Sequence, residues 1–263
     1  MMGILNITPD SFADGGRHYD ASAAVEAGLR MVQEGADILD VGGESTRPGA
    51  DEVGADEEMQ RVLPVIEQLA ARTSALISID TYKATVARQA LARGATIIND
   101  ISGLQYDPAL GAVAAETGAA LVLMHTRGRS KSMYDHAKYD DVVGEVVAEL
   151  GTAIGRAIDA GVKRDAVIVD PGFGFAKRAA HSFALLARLP ELMQLDRPIL
   201  SGPSRKSFLK DALGDRPPSE REWGTASAVA GSVLLGAHVV RVHHVSAMVD
   251  VVRVADRLRM HQS

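Results

Sequence analysis

Eight times along this chain a short apolar run stops at a polar residue and gives way to a longer segment of helical period. The runs are GILNI, DILDVG, LISID, TIIND, ALVLMH, VIVD, PILSG and HVVRVH. Runs that stay apolar on both faces suit parallel strands buried between helices and a barrel interior. The intervening stretches carry helical stripes: Val25, Gly28, Leu29 and Val32; Met59, Val62, Leu63, Ile66 and Leu69; Val143, Val146, Val147, Leu150 and Ile154; and Met248, Val251, Val252, Ala255 and Leu258. Asp56, Glu57 and Glu58 favour the N-terminus of the second of these helices. Gly35, Gly94, Gly118, Gly161 and Gly236 each stand where a helix can end in a left-handed residue. No linker or low-complexity stretch separates the units. The pattern therefore predicts a single-domain α/β (β/α)8 TIM barrel over residues 1–263, with a doubly wound open sheet as the competing architecture.

Composition narrows the function. The 263 residues carry a formal net charge of −6 and no Cys. The acidic balance and the lack of a long basic run argue against nucleic acid as a partner. Disulfides, thiolate metal sites and Cys nucleophiles are excluded. The N-terminus lacks a signal-peptide pattern, and the longest nearly apolar stretch, from Ala226 to Val240, is too short for a membrane span. A soluble cytoplasmic protein without membrane contact is expected.

A barrel of this kind builds its active site at the C-terminal ends of its strands. Those ends read Asn6, the GGESTRPG loop, Asp80, Asn99-Asp100, Met124-His125, Asp170, Gly202 followed by the SRKS turn, and Arg241 with His243. Any one of them could be a cap or turn residue, and Asp80 could cap the helix that follows it. Together they predict a polar ligand site. A carboxylate such as Asp170 or Asp80 can match two adjacent N–H groups, as in an aminopyrimidinone ring. Arg241 and His243 are two apart on the last strand, where barrels often hold phosphate. Burying Arg241 without an anion would be costly, so an anion site is expected there. Two glycine-rich loops, TPDSFADGGRHYD and GESTRPGADEVGA, have the make-up of lids. A third, TRGRSKSMYDHAKYD, reads equally as a lid or a solvated connection.

The motifs GILNITPDSFADGG, DVGGESTRPGA, ISID, IIND, VLMH, DPGFGF, SRKSF and RVHHV occur in this order across the whole chain. Through them the sequence resembles the dihydropteroate synthase family of pterin-binding enzymes. The resemblance implies a (β/α)8 barrel that joins 6-hydroxymethyl-7,8-dihydropterin pyrophosphate to p-aminobenzoate in folate biosynthesis, by an SN1-like transfer that releases pyrophosphate. It implies that Asp170 binds the N3–H and 2-amino edge of the pterin, Asn99 the other side of that amino group, Asp80 the N8 side and Lys206 the O4/N5 side. Met124, Phe175 and Gly202 line the pocket. Asn6, Arg241 and His243 hold the diphosphate, and Asn6 also ligates Mg2+. Phe12, Thr46, Arg47, Pro48 and Ser207 shape the p-aminobenzoate site, the target of sulfonamides. Lys206, Arg241, His243 and Asp80 are the residues expected to act in the reaction.

Three positions depart from the family pattern: Ala176 stands where Gly is usual, Pro203 precedes SRKSF, and His244 replaces an Asp. None removes a contact group. The family also carries a leader before the first strand, so the barrel floor is expected to be uncovered here. A homodimer is expected, with the AVAGSVLLGA segment as one candidate contact. Two other readings share the pocket: a methyltetrahydrofolate:corrinoid methyltransferase barrel and a non-catalytic pterin-binding protein. The first needs no diphosphate clamp, and the second would be signalled by loss of Asn6, Lys206 or Arg241, all of which are present.

Overall fold

Each apolar run becomes a parallel strand, and the strands close on one another. The computed structural model describes residues 1–8, 21–45 and 49–261. The strands are β1 (Met2–Asn6), β2 (Ile38–Gly42), β3 (Leu76–Asp80), β4 (Ile97–Asp100), β5 (Ala120–Met124), β6 (Val167–Asp170), β7 (Leu200–Ser201) and β8 (Val239–Val242). They are hydrogen-bonded in the order β6-β5-β4-β3-β2-β1-β8-β7. A bridge between Val169 and Ile199, with Val169 N–H donating to Pro198 O at 2.9 Å, joins the two ends. The architecture is the (β/α)8 barrel rather than an open sheet.

The main helices between the strands are α1 (Ala21–Gln33), α2 (Ala55–Arg72), α3 (Ala84–Leu91), α4 (Ala109–Thr117), α5 (Val142–Asp159), α6 (Ala179–Ala187), α7 (Glu222–Leu234) and α8 (Val245–Arg259). All five predicted left-handed glycines have positive φ. At Gly94 the requirement is double, because a Cβ there would stand 2.5 Å from Ala70 Cβ. The α5 stripe is buried as read. On α2 the inward face is rotated, so that Val65 and Glu58 join Val62, Ile66 and Leu69 in burial. The reason for Glu58 is a partner: Lys83 Nζ donates to it at 2.5 Å. Leu258, in the last turn of α8, is 56% exposed, having run past the core. In the AVAGSVLLGA segment, Ala228, Val229, Ser232 and Val233 face the barrel, and Ser232 Oγ meets Ser201 Oγ at 2.8 Å.

Period-two alternation sorts the strand side chains. One set packs under the helices in the main core. The other points into the barrel, where Met2, Ile38, Ile97, Val122 and Leu200 form an apolar layer. Met2 is only 1% exposed, so strand side chains themselves fill the lower interior of the barrel. Two residues further along four of the strands the inward positions turn polar. Ile38 leads to Asp40, Ile97 to Asn99, Ile168 to Asp170, and Val239 to Arg241. Register then sets Asn6, Gly42, Asp80 and Asn99 at one level across four neighbouring strands, and pairs Met124 with Asp170.

Candidate active site

The polar layer gathers into one cleft lined by Asp80, Asn99, Ile101, Met124, Asp170, Gly172, Phe173, Phe175, Gly202, Lys206 and Arg241. Eight of the residues read from the sequence thus come together: Asp80, Asn99, Met124, Asp170, Phe175, Gly202, Lys206 and Arg241. The cleft is tight, about 20 Å³, with the Lys206 ammonium 4.1 Å from the centre of the Phe175 ring. A wider cavity of about 770 Å³ opens at the opposite end, lined by Met193, Pro198, Leu235 and His238 among others, and includes none of the rim residues.

Asp40 organises the cleft from below, and sequence reading missed it. Its side chain is fully buried, and its Oδ2 accepts from Asn99 Nδ2 at 3.0 Å and from Arg241 Nε at 2.6 Å. Arg241 Nη2 donates to Asp80 Oδ2 at 2.7 Å. The inference that a buried Arg241 calls for a ligand anion is therefore corrected, since two protein carboxylates already compensate its charge. Asp80 is equally not a helix cap: Asp107 Oδ2 accepts from Ala84 N–H at 2.8 Å and takes that position on α3. The signal for Asp40 was present as a carboxylate interrupting the run ILDVG.

These contacts set the donors and acceptors that remain. With its amide nitrogen given to Asp40, Asn99 presents its carbonyl oxygen as an acceptor. Asp80 Oδ1 is buried with no partner among the described residues. Two carboxylates share one guanidinium. Burial, with the Asp40 charge beside it, outweighs Arg241 and pushes Asp80 up to about 7. Burial also opposes the Arg241 charge, but Asp40 and Asp80 outweigh it and raise its pKa. Asp170 Oδ1 accepts from Gly172 N–H at 2.7 Å, an Asx turn rather than a helix cap. Burial raises the Asp170 pKa against that hydrogen bond and the nearby Lys206 and Arg241 charges.

Other assignments lie at the edge. Asn6 ends β1 at the level of Gly42 and Asp80 and is partly buried. β8 ends at Val242, so His243 stands just beyond the strand, and its Nδ1 meets Ser204 Oγ at 3.0 Å. Ser207 is exposed at the start of a short helical turn, Ser207–Leu209, and does not line the cleft. Phe12, Thr46, Arg47 and Pro48 lie outside the described residues. Ala176 adopts a positive φ of 49°, which accounts for Gly being the usual residue there. His244 Nδ1 lies 3.3 Å from Glu222 Oε1 on α7.

The loop read as a lid after β2 and the loop after β5 that could be a lid or a solvated connection are joined. Glu44, after β2, accepts from Val53 N–H at 3.0 Å, from Tyr82 Oη at 3.0 Å and from Lys83 Nζ at 2.6 Å. Its carboxylate therefore closes the base of the GESTRPGADEV loop. The loop after β5 docks on the far side of that loop. Gly49 N–H donates to Ser130 O at 3.2 Å, Arg129 pairs with Glu52 at 2.8 Å and Lys131 pairs with Asp51 at 2.6 Å. Arg129 also lies 4.4 Å from the centre of the Tyr106 ring. Arg129 and Lys131 of this third loop are thus docked on its acidic neighbour, while Arg127 pairs with Glu145 and Glu149 on α5.

Comparison with known proteins agrees with the geometry. The model of the pterin binding enzyme family matches residues 2–243. The dihydropteroate synthase of Mycobacterium leprae is 49% identical over 260 residues, covering 97% of this chain and 91% of that protein. The structure of Xanthomonas albilineans dihydropteroate synthase with 4-aminobenzoic acid superposes with a TM-score of 0.92 at 45% identity, covering 98% of this chain and 92% of that one. A structure of the same enzyme in complex with 7,8-dihydropteroate has a TM-score of 0.89 at 42% identity, with the same coverage of both chains.

Proposed function

The chain belongs to the pterin-binding enzyme family, and from this premise we infer that it acts as a dihydropteroate synthase. It is a transferase that joins 6-hydroxymethyl-7,8-dihydropterin pyrophosphate to p-aminobenzoate, giving 7,8-dihydropteroate and pyrophosphate. The observation that carries this reading is the convergence of Asp80, Asn99, Asp170, Lys206 and Arg241 in one cleft walled by Met124 and Phe175.

The residue roles are those the family resemblance implies, and the donors and acceptors left after internal pairing are compatible with them. Asp170 accepts from the N3–H and 2-amino edge of the pterin. The Asn99 oxygen faces the same amino group, Asp80 Oδ1 accepts on the N8 side, and Lys206 donates to O4/N5. In the transfer, the bond between the pterin methylene and the diphosphate oxygen breaks first, and the diphosphate leaves with the electron pair. The pterin ring spreads the resulting positive charge. The aniline nitrogen of p-aminobenzoate then forms the new bond and gives up a proton, so no nucleophilic side chain is needed. The resemblance assigns Arg241 and His243 to the departing diphosphate, Arg241 as a donor already oriented by Asp40 and Asp80, and electrostatic help aimed at developing charge is where such sites gain most. The second substrate binds beyond the rim, against Phe12, Thr46, Arg47, Pro48 and Ser207.

Mg2+ fits this donor set in a limited way. Among the described residues no three acidic or His side chains gather for a metal. Asn6 offers one hard carbonyl oxygen, which suits an ion that keeps several waters and binds mainly through substrate phosphates. When bound it adds positive charge at the diphosphate. As to partners, a second copy of the chain would cover apolar side chains left exposed on α7 and α8, among them Trp223 (85% exposed) and Val254. Among the described residues no helix is long and apolar enough to cross a membrane.

The test is pyrophosphate release from the pterin pyrophosphate, with and without p-aminobenzoate and Mg2+. Release that depends on p-aminobenzoate is the expected result. Absence of release under every condition overturns the enzymatic reading, and turnover that ignores p-aminobenzoate overturns the choice of acceptor.

A further inference from the structure

Lys177 is among the most deeply buried side chains of the protein, at 1% exposure, yet it lies outside the cleft. A buried lysine is costly unless every proton finds an acceptor. Lys177 Nζ has three acceptors: His125 Nδ1 at 2.7 Å, Phe175 O at 2.9 Å and His125 O at 3.2 Å. His125 Nε2 meets Glu149 Oε2 at 2.9 Å. Glu149 is in turn held by Arg127, whose guanidinium lies 4.1 Å from the centre of the Tyr139 ring. The network fixes the proton positions. A carboxylate at Nε2 needs a proton there, which leaves Nδ1 an acceptor and requires Lys177 to donate to it. With two carbonyls also to satisfy, only the ammonium form has enough donors.

The bonds land on the segment that shapes the cleft. After Asp170 the chain turns through Gly172, Gly174 and Ala176, all with positive φ, a conformation that must be held from outside. Three consecutive carbonyls are held: Gly174 O by Tyr134 Oη at 3.4 Å, Phe175 O by Lys177, and Ala176 O by Tyr139 Oη at 3.1 Å. A Cβ at Gly172 would stand 2.1 Å from His125 O, so β5 and this turn interlock at the same carbonyl that Lys177 binds. The Lys177 charge also favours the carboxylate form of Asp170.

We propose that Lys177 is a positioning residue for the pterin, its ammonium oriented by His125 so that it fixes the Phe175 wall and places a positive charge behind Asp170. The proposal rests on the reading of the cleft as a pterin site. Several charges face Lys177. Burial lowers its pKa to about 7, against Asp170 from β6 and Glu149 from α5, and with Arg127 and Lys206 also disfavouring the charge. His125 is held neutral, down to about 4, by burial and by Lys177 itself. The pterin wall therefore loosens as the Lys177 proton leaves near neutral pH.

Lys177→Met, which retains the bulk and removes the donors, separates this role from general damage. KM for the pterin pyrophosphate is expected to rise by about tenfold, while KM for p-aminobenzoate stays at the wild-type value. Equal changes in both constants, or none in either, overturn the proposal. Wild-type turnover measured alongside keeps the outcome distinct, because a wild type that releases no pyrophosphate fails the functional reading itself. A second measurement needs no folded variant. In wild-type chain labelled with 15N-lysine, one ammonium signal should titrate near neutrality, well below the ordinary lysine value, and shift on adding 6-hydroxymethylpterin but not p-aminobenzoate. Lysine signals that all titrate at the ordinary value, or none that responds to the pterin, overturn it.

Discussion

At the scale of single residues, Asp40 shows how a buried charge can govern a site without touching its contents. It binds Asn99 and Arg241 at once, through the same oxygen. Removing one member of a buried, hydrogen-bonded charge cluster leaves the others uncompensated. Asp40→Ala is expected to lose about 3–5 kcal/mol of stability, read by urea unfolding. It should weaken pterin binding as well, since the Asn99 amide would be free to turn. A variant as stable as wild type with unchanged pterin affinity would contradict that role. The rim residues were legible because each ends an apolar run with a side chain that can bind. Asp40 was not, because it sits inside a run and its partners are 59 and 201 residues away. Lys177 escaped for a related reason, since its bond to His125 spans 52 residues and no local spacing foreshadows it.

At the scale of elements, the strands and helices were readable because periodicity is a local property of the chain. Loop docking was not, because it depends on which loops the barrel brings side by side. The GESTRPGADEV loop is pinned twice, by a nearly buried Glu44 at its base and by exposed ion pairs on its outer side. These pins differ in strength. Exposed pairs such as Lys131–Asp51 contribute about 0–1 kcal/mol each, whereas Glu44 accepts three hydrogen bonds, one of them from a lysine. Glu44→Ala is thus expected to raise KM for p-aminobenzoate roughly tenfold with little effect on the pterin constant. Steady-state kinetics with each substrate varied in turn checks this. An unchanged p-aminobenzoate constant would mean that the loop is held without Glu44. The selective rise expected for Glu44→Ala is the mirror of the one expected for Lys177→Met, so the two variants together map which loop serves which substrate.

At the scale of the whole molecule, the barrel is uneven around its circumference. β1, β2 and β3 pair over five residues each, but β7 has two residues and meets β6 through one bridge. Opening free energy follows local contact and hydrogen-bond density. In native-state hydrogen exchange, the amides of Val169, Leu200 and Ser201 are expected to exchange through smaller openings than those of Leu39 and Ile79. Uniform protection around the ring would show that the short pairing is not the weak side. That the chain would close into a ring at all was legible from eight similar units. The position of the seam was not, since PILSG reads as an apolar run like the others and gives no sign that β7 shrinks to Leu200 and Ser201 with a single bridge at Ile199.

The interior layering carries a consequence for how such a sequence can vary. In β4, β6 and β8 the residue that fills the barrel and the one that faces the ligand are two apart, so both depend on one reading frame. Deleting Ile98 would turn Asn99 toward the helices and bring Asp100 to the position that faces the cleft. Chain length can therefore drift in the connections but not inside a strand, however conservative the amino acids on either side.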